Sequence, residues 1–398
     1  MKTLIYILAF LVSATSIIAQ PYGNEWIDYS QKYLKFQVVT DGVYKITYND
    51  LSNITSIDID TIDPTTIQIW GRGQQQYLYI EGESDNSFDL DDYIEFYARA
   101  NDGWLDSLLY DSPESQVNPY YSLYNDTATY FITFNSSGSS LRYNNVTAGS
   151  IATPDDYFLE TVVAYSPQQH WQGRYDSQSG KHDVEYTKGE GWFYSSYSAT
   201  GSQTIAIGTP NAFTGPSAPD TIVEAQYAGV NNPGGTISHH VEVFYNGQTT
   251  PVISNTFSSF NMFKPVFSIP AGQISNSTTI LFANGSSVHA SAKSAVAYVK
   301  LTYPRAYSSL VDSMHMMRIP ASGTTHQIEL SSFISPFNQT FVYDFENNTR
   351  AVISNSTVAF TLPAGNERDV YVFSSNYDNF NSPIRLQTIN NGGYFSDY

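Results

Sequence analysis

The sequence predicts an all-β protein: tandem β-sandwich domains, of jelly-roll and immunoglobulin-like type, behind a signal peptide. Three observations carry that expectation. In one short segment after another, apolar and polar side chains alternate at period two, the spacing of a half-buried strand. The chain holds 32 Tyr and 23 Phe, ring-bearing residues that favour a pleated surface. Gly and Pro recur at short intervals, so no apolar pattern at helical spacing runs far.

Residues 1–19 read as the export signal, with Lys2 as the positive start, Leu4 to Val12 with Ile17 and Ile18 as the apolar stretch, and cleavage near Ala19. The run is short for a membrane span and is broken by Ser13, Thr15 and Ser16. The mature chain is therefore expected to be exported: periplasmic, at the outer-membrane surface, or secreted. At 398 residues it suits two or three domains. Its 18 basic and 37 acidic residues leave a formal charge of -19, which opposes a nucleic-acid partner. Cysteine is absent, so the chain holds no disulfide and no thiol nucleophile.

The first domain is expected over residues 20–150. Tyr33 to Val39 and Asp41 to Tyr48 read as a hairpin about Asp41-Gly42, with Tyr44, Ile46 and Tyr48 on one face. Leu51 to Asp63 suits a short helical turn that Pro64 breaks, and Ile67 to Trp70 leads into the central stretch, Tyr77 to Arg99. There two aromatic-rich runs flank the turn Gly82 to Asp92, again a hairpin, with Ile94 and Phe96 alternating against Tyr93, Glu95 and Tyr97. Thr129 to Phe134 resumes the alternation, and the polar stretch from Asn135 to Pro154 marks a boundary.

A second domain, a jelly-roll-like sandwich over residues 151–305, opens with Tyr157 to Tyr165 as a strand or short helix. Clear strands follow at Thr221 to Tyr227, His239 to Tyr245 and Ser294 to Tyr303. The last places Ala295, Ala297, Val299, Leu301 and Tyr303 on one face and ends at Pro304. Residues 306–398 suit a small immunoglobulin-like segment with strands at Gln327 to Leu330, Thr340 to Phe345, Thr357 to Leu362 and Asp369 to Phe373. The final run from Gly392 to Tyr398 offers no closing element and reads as cut off.

Five acids crowd the central turn: Glu83, Asp85, Asp89, Asp91 and Asp92. Oxygen ligands on a short loop suit calcium, with Asp85, Asp89 and Asp92 as the metal ligands. The helix-loop-helix calcium pattern fails, because from Asp85 the sixth position is Leu90 and the twelfth Phe96. The other reading is a solvated turn whose aspartates bond their own backbone. Apart from this calcium no cofactor is expected.

Among histidines, His239 and His240 are adjacent in a strand and leave opposite faces, so they cannot share one metal. His170 and His182, near Asp176 and Asp183, lack zinc spacing. No Gly-x-Ser-x-Gly elbow occurs; the nearest stretch, Gly215-Pro216-Ser217-Ala218-Pro219, is a proline-rich loop. Paired carboxylates of glycosidase type stay open, since acids are abundant, though abundant acids usually form a solvated surface. Trp104 and Trp192 are the ligand candidates, with Trp171 beside them, as aromatic platforms for sugar rings; tryptophan equally anchors a core or rim. The Asn-x-Ser/Thr triplets at Asn125, Asn135 and Asn145 are treated as chance in so Asn-rich a chain.

Several runs together resemble the N-terminal, non-catalytic region of the PorU-type sortases of the type IX secretion system, a gingipain-like family of cysteine peptidases (the C25 type) in the Bacteroidota. They are Gly23-Asn24-Glu25-Trp26-Ile27, Asp41-Gly42-Val43-Tyr44-Lys45-Ile46, Tyr79-Ile80-Glu81-Gly82-Glu83, Asp89 to Tyr97, Asn101-Asp102-Gly103-Trp104-Leu105-Asp106 and Asn118-Pro119-Tyr120-Tyr121-Ser122-Leu123. The resemblance returns at Tyr298 to Arg305 and at Val342-Tyr343-Asp344. It implies β-domains that precede a peptidase domain, a cell-surface location, and as partners that peptidase domain, from the same or a neighbouring gene product, and type IX secretion components at the outer membrane. The family's chemistry needs a thiolate activated by histidine. This chain has none to offer, so no catalytic residue carries over, and the implied role is a scaffold or prodomain. The alternative reading is a free-standing secreted module that binds carbohydrate or protein.

Overall fold

The computed structural model describes residues 23–398 except 55, 135–137, 174, 177–180, 183, 336–338, 355–356, 375–379, 390 and 397–398. The export signal, Asn135 and Asp183 lie outside the described residues. Strands and short 3-10 turns make up nearly all of the regular structure, and the one described α-helix, Tyr48–Ser52, spans five residues. The all-β sandwich architecture expected from the alternation is therefore the observed one.

The first sandwich packs two antiparallel sheets. One runs in the order Ile384–Thr388, Tyr33–Val38, Ala128–Thr133, Gln68–Gly71, Gln74–Gln75; the other runs Gly42–Thr47, Tyr93–Ala98, Tyr79–Glu81. Alternation decides what is buried. Leu34, Phe36 and Val38 point inward and meet Tyr44, Ile46, Ile94 and Phe96 from the facing sheet, with Tyr130 and Ile132 beside them. The central hairpin forms as its sequence suggests, with Tyr79 opposite Glu95 and Ile80 opposite Ile94.

The hairpin expected about Asp41-Gly42 does not form. Tyr33–Val38 pairs with Ala128–Thr133 and Gly42–Thr47 pairs with Tyr93–Ala98, so the two strands belong to different sheets. Both carry an apolar face, and stacking those faces across the sandwich buries more than side-by-side pairing would. Gly42 turns the chain between sheets at φ +150, where a Cβ would stand 2.6 Å from the Asn381 side-chain nitrogen.

Beyond the first sandwich the largest sheet has eleven strands, and its main path runs Met262–Phe263, Thr221–Gly229, Lys293–Ala306, Tyr157–Tyr165, Met314–Ile319, Arg368–Ser374, Thr340–Asp344, Thr349–Ile353, Asn144–Val146. Only the last pairing on that path is parallel. A four-stranded sheet, Ser202–Gly208, Ser277–Asn284, His239–Tyr245, Ile253–Phe257, covers one half, with Ile205, Val223, Tyr227, Val243, Phe282 and Leu301 between. The pair His326–Leu330 and Val358–Leu362 covers the other half over Met317, Ile319, Val342 and Val370. Tyr157 to Tyr165, ambiguous in sequence, is a strand joining the two halves.

Two readings of the strand Lys293–Ala306 are corrected. It does not end at Pro304. Pro304 lies opposite Leu159, while the strand on its other side pairs no further than Thr302, so the missing N–H falls where no ladder bond is required. Nor do its odd-numbered residues share one face. The register slips between Gln226, opposite Tyr298, and Tyr227, opposite Val296, leaving Ala297 as a bulge. Val296, Val299 and Leu301 therefore enter the sandwich core, and Ala295, Ala297 and Tyr298 face the opposite side.

The sequence suggested no strand after Asp369 to Phe373, and the structure adds one. Ile384–Thr388 closes the edge of the first sheet against Tyr33–Val38, and just before it Asn381 exchanges backbone hydrogen bonds with Val43 and Lys45 on the other sheet. Phe395 then packs its ring 5.2 Å from Tyr33 and 5.3 Å from Phe131.

Candidate functional site

The acidic turn is built around one glycine. Gly82 adopts φ +83, and a Cβ there would lie 1.9 Å from Asp92 Oδ1, so the Asp92 carboxylate fills the space a side chain would need. Asp92 accepts a 2.7 Å bond from the Asp89 backbone N–H. Asp85 accepts from the Ser87 N–H at 2.9 Å, and the Ser87 hydroxyl donates to Asp89 at 3.0 Å. Glu83 receives the Arg142 Nε at 2.6 Å. Burial raises the Asp92 pKa above the ordinary carboxylate value. Asp85, Asp89 and Asp92 are thus turned onto backbone and hydroxyl partners, and among the described residues no group of three or more His, Asp or Glu is arranged to hold a metal ion.

The tryptophans have separate settings. Trp104 is 38% exposed, and the Arg72 guanidinium lies over its ring at 4.9 Å, itself fixed by a two-pronged bond to Asp102 at 2.8 and 3.3 Å. Trp192, half-buried in the strand Glu190–Phe193, meets the edge of the His170 ring at 5.2 Å. Trp171, opposite Gly191, packs against a small core with Val117, Phe193 and Tyr298. Trp104 and Trp192 are each held by different partners.

The histidines and the serine that the sequence singled out each have different partners. His239 is fully buried, stacks on Phe257 at 5.0 Å, and sits 3.1 Å from the Asn231 carbonyl oxygen; burial lowers its pKa. His240 leaves the other face, toward the Ser254 and Ser287 hydroxyls at 2.9 and 2.8 Å. His170 is exposed and His182 lies in the strand Lys181–His182, opposite Tyr175. Ser217 donates to Asp156 at 3.2 Å, with no imidazole hydrogen-bonded to it.

Two features went unread in the sequence. The first is a buried seam. Glu95 and Tyr97, on the face of the central hairpin turned away from the first core, meet the Thr340–Asp344 and Thr349–Ile353 strands instead of solvent. Glu95 is fully buried, Arg350 is 4% exposed, and Arg350 Nε donates to Glu95 at 2.9 Å. The guanidinium also lies 3.8 Å from the Tyr79 ring centroid and 4.5 Å from that of Phe341, and Tyr97 packs on Phe345 and Tyr371. A second bridge joins the two halves of the long sheet, where Glu160 accepts from Arg305 at 3.0 Å and lies 2.6 Å from His315.

The second feature is a groove of about 570 Å3 on the outward face of the five-stranded sheet. Lys35 and Gln37, Thr129 and Phe131, and Arg385 and Gln387 form its floor, and Tyr394 and Phe395 form a wall. These floor residues are outward because their sequence neighbours Phe36, Val38 and Tyr130 fill the core. Beside it Trp26 stacks on Trp70 at 5.6 Å and tilts against Phe131 at 5.1 Å.

No protein-family model matches this sequence, and no curated protein matches it. Among solved structures, dimeric latent PorU from Porphyromonas gingivalis overlays 89% of this chain and 33% of its own at a TM-score of 0.52 and 14% identity. The fold resembles that of PorU. At that identity the likeness concerns fold alone, and the chain spans about a third of that PorU's length. A family 35 carbohydrate-binding module from Clostridium thermocellum overlays 38% of this chain and 98% of its own at a TM-score of 0.18 and 16% identity. A BuGH86 structure in complex with neoagarooctaose overlays 69% of this chain and 32% of its own at 0.22 and 11%. Scores this low bear no weight beside the PorU overlay. No helix among the described residues is long and apolar enough to cross a membrane.

Proposed function

We propose that this chain is the non-catalytic N-terminal region of a sortase-like, gingipain-type surface peptidase of the type IX secretion system. It serves as scaffold or prodomain for a peptidase domain encoded in the same or a neighbouring gene, and acts outside the cytoplasm. The observation that carries this reading is the overlay on PorU, which takes in 89% of the chain and a third of PorU. A chain without cysteine cannot supply the thiolate of such an enzyme, so its contribution is shape and contact. The seam at Glu95 and Arg350 and the bridge at Glu160, Arg305 and His315 suit that role, because they hold the sandwiches in one arrangement. The division into units at residues 20–150, 151–305 and 306–398 belongs to this proposal.

The test is genetic and then biochemical. DNA read past the Tyr398 codon, and the neighbouring frames, should encode a gingipain-type peptidase, and that peptidase expressed separately should co-purify with this chain. Absence of any such segment together with no association overturns the reading and leaves the secreted binding module, which the aromatic and cationic groove on the first sheet favours.

A further inference from the structure

We infer that the groove on the outward face of the five-stranded sheet binds an acidic saccharide, a sugar that carries a carboxylate or sulfate group. The inference stands apart from the sortase reading and holds or fails without it.

Charge comes first. The chain carries 37 acidic and 18 basic residues, yet no Asp or Glu lines this groove, and two of its lining residues are Lys35 and Arg385. They lie on paired strands, Lys35 opposite Gln387 and Arg385 next to Ile384, the partner of Gln37. Among the described residues neither cation has an ion-pair partner. Like charges on adjoining strands repel, and an anion held between them turns that repulsion into attraction. The pairing irregularity between Lys35 and Gln37 and the left-handed φ of +54 at Arg385 set this cation apart from a regular strand position.

The remaining floor fits a polyol. Gln37, Gln387 and Thr129 offer donors and acceptors together on one surface, as sugar hydroxyls require, since each hydroxyl both donates and accepts. Phe131 and the wall residues Tyr394 and Phe395 give apolar surface for the C–H face of a sugar ring. A volume of about 570 Å3 lies within the range of small-ligand sites.

An acidic peptide fits less well. The Tyr33–Val38 strand is paired on both sides, by Ala128–Thr133 and Ile384–Thr388, so its backbone groups are committed. Peptides that join a sheet draw their affinity from backbone bonds at an open edge; the outer edge of Ile384–Thr388 borders the groove, but Lys35, Gln37, Thr129 and Phe131 line it from the face, where side chains are on offer.

The probes are tetragalacturonate and a heparin-derived tetrasaccharide for the two acidic groups, cellotetraose as the neutral counterpart, and poly-glutamate as the peptide anion, each titrated calorimetrically into the full chain. We expect at least one acidic tetrasaccharide to bind, cellotetraose and poly-glutamate to bind at least tenfold more weakly, and affinity to fall as salt rises. Lys35→Ala and Arg385→Ala should each weaken binding about tenfold, and Gln387→Ala should weaken it with the cations intact. Lys35 and Arg385 sit on the outer face, so their variants should melt with the parent. No binding by either acidic sugar, equal binding of cellotetraose or poly-glutamate, or unchanged affinity in both cation variants of normal melting overturns the inference.

Discussion

Replacing Arg350 by Met is the sharpest probe of how the sandwiches are joined. Glu95 is fully buried and Arg350 nearly so, and the 2.9 Å bond between them is the charge compensation for both. Removing one partner of such a pair costs about 3–5 kcal/mol, because a carboxylate is left in an apolar surround. The rings of Tyr79 and Phe341 against the guanidinium add about 0.5–2 kcal/mol to what the arginine contributes. Exchanging both partners, Glu95→Leu with Arg350→Met, removes the stranded charge, so the double variant should recover most of the loss. The loss in Arg350→Met should also depend on pH. Burial is the chief influence on Glu95 and raises its pKa, while Arg350 works against that rise. Without the arginine the folded-state pKa climbs further above the unfolded value, so the folded form takes up a proton. The penalty is then small below the unfolded pKa, about 4.3, and grows as pH rises through the folded value. Urea titrations followed by tryptophan fluorescence at pH 5 and pH 8 measure this, since Trp26 and Trp70 both lie on the first sandwich. A loss under about 1 kcal/mol for Arg350→Met at pH 8, or a double variant no more stable than the single one, would refute the reasoning.

Other outcomes follow from single sites. Gly82→Ala should cost about 2 kcal/mol, combining a left-handed backbone with a displaced Asp92, whereas Leu90→Ala in the same turn, at an exposed position, should stay within about 0.5 kcal/mol; thermal melting distinguishes them. Calcium added in excess over chelator should leave the melting midpoint of the chain unmoved, because the turn carboxylates already have backbone and hydroxyl partners; a rise that scales with calcium would support the metal reading. Burial lowers the His239 pKa, so its unfolded form binds the proton first, and the stability it lends is lost as pH falls below about 6.5. His239→Gln should therefore be less sensitive to acid between pH 6.5 and 5 than the parent, as read by melting at each pH, and parallel curves would dismiss His239 as the source.

What could be read from the sequence was local. The alternation from Tyr93 to Tyr97 gave the strand, and Gly82 with its acids gave the turn. The partner of a strand was less legible. Gly42–Thr47 was placed beside Tyr33–Val38 because a short turn joins them, but two apolar faces of matched length also satisfy each other across a sandwich, as Phe36 and Phe96 do at a ring separation of 5.8 Å. The face that Glu95 shares with Tyr93 and Tyr97 was legible, but period two marks only which face is which, never what covers it. Its partner Arg350 lies in a strand, Thr349–Ile353, that the sequence did not flag, since Arg350 and Ala351 are both buried and the alternation is lost. The strand Met314–Ile319 was hidden for a similar reason, since Met314, His315 and Met316 run exposed to half-buried without alternating. Of the candidate site residues, Asp85, Asp89, Asp92, Trp104 and Trp192 were chosen by residue type. The groove was invisible because Lys35, Thr129 and Arg385 meet only after three distant strands align.

The strand Ile384–Thr388 has a bearing on biosynthesis. A ribosome releases Tyr33–Val38 long before the neighbour that extends its sheet, Ile384–Thr388. Until then one border of the earliest sandwich is bare, with backbone groups able to seek any passing strand. Long-range pairing of this kind is slow, and the earliest sandwich gains its border strand only after all the chain between the two strands has been made.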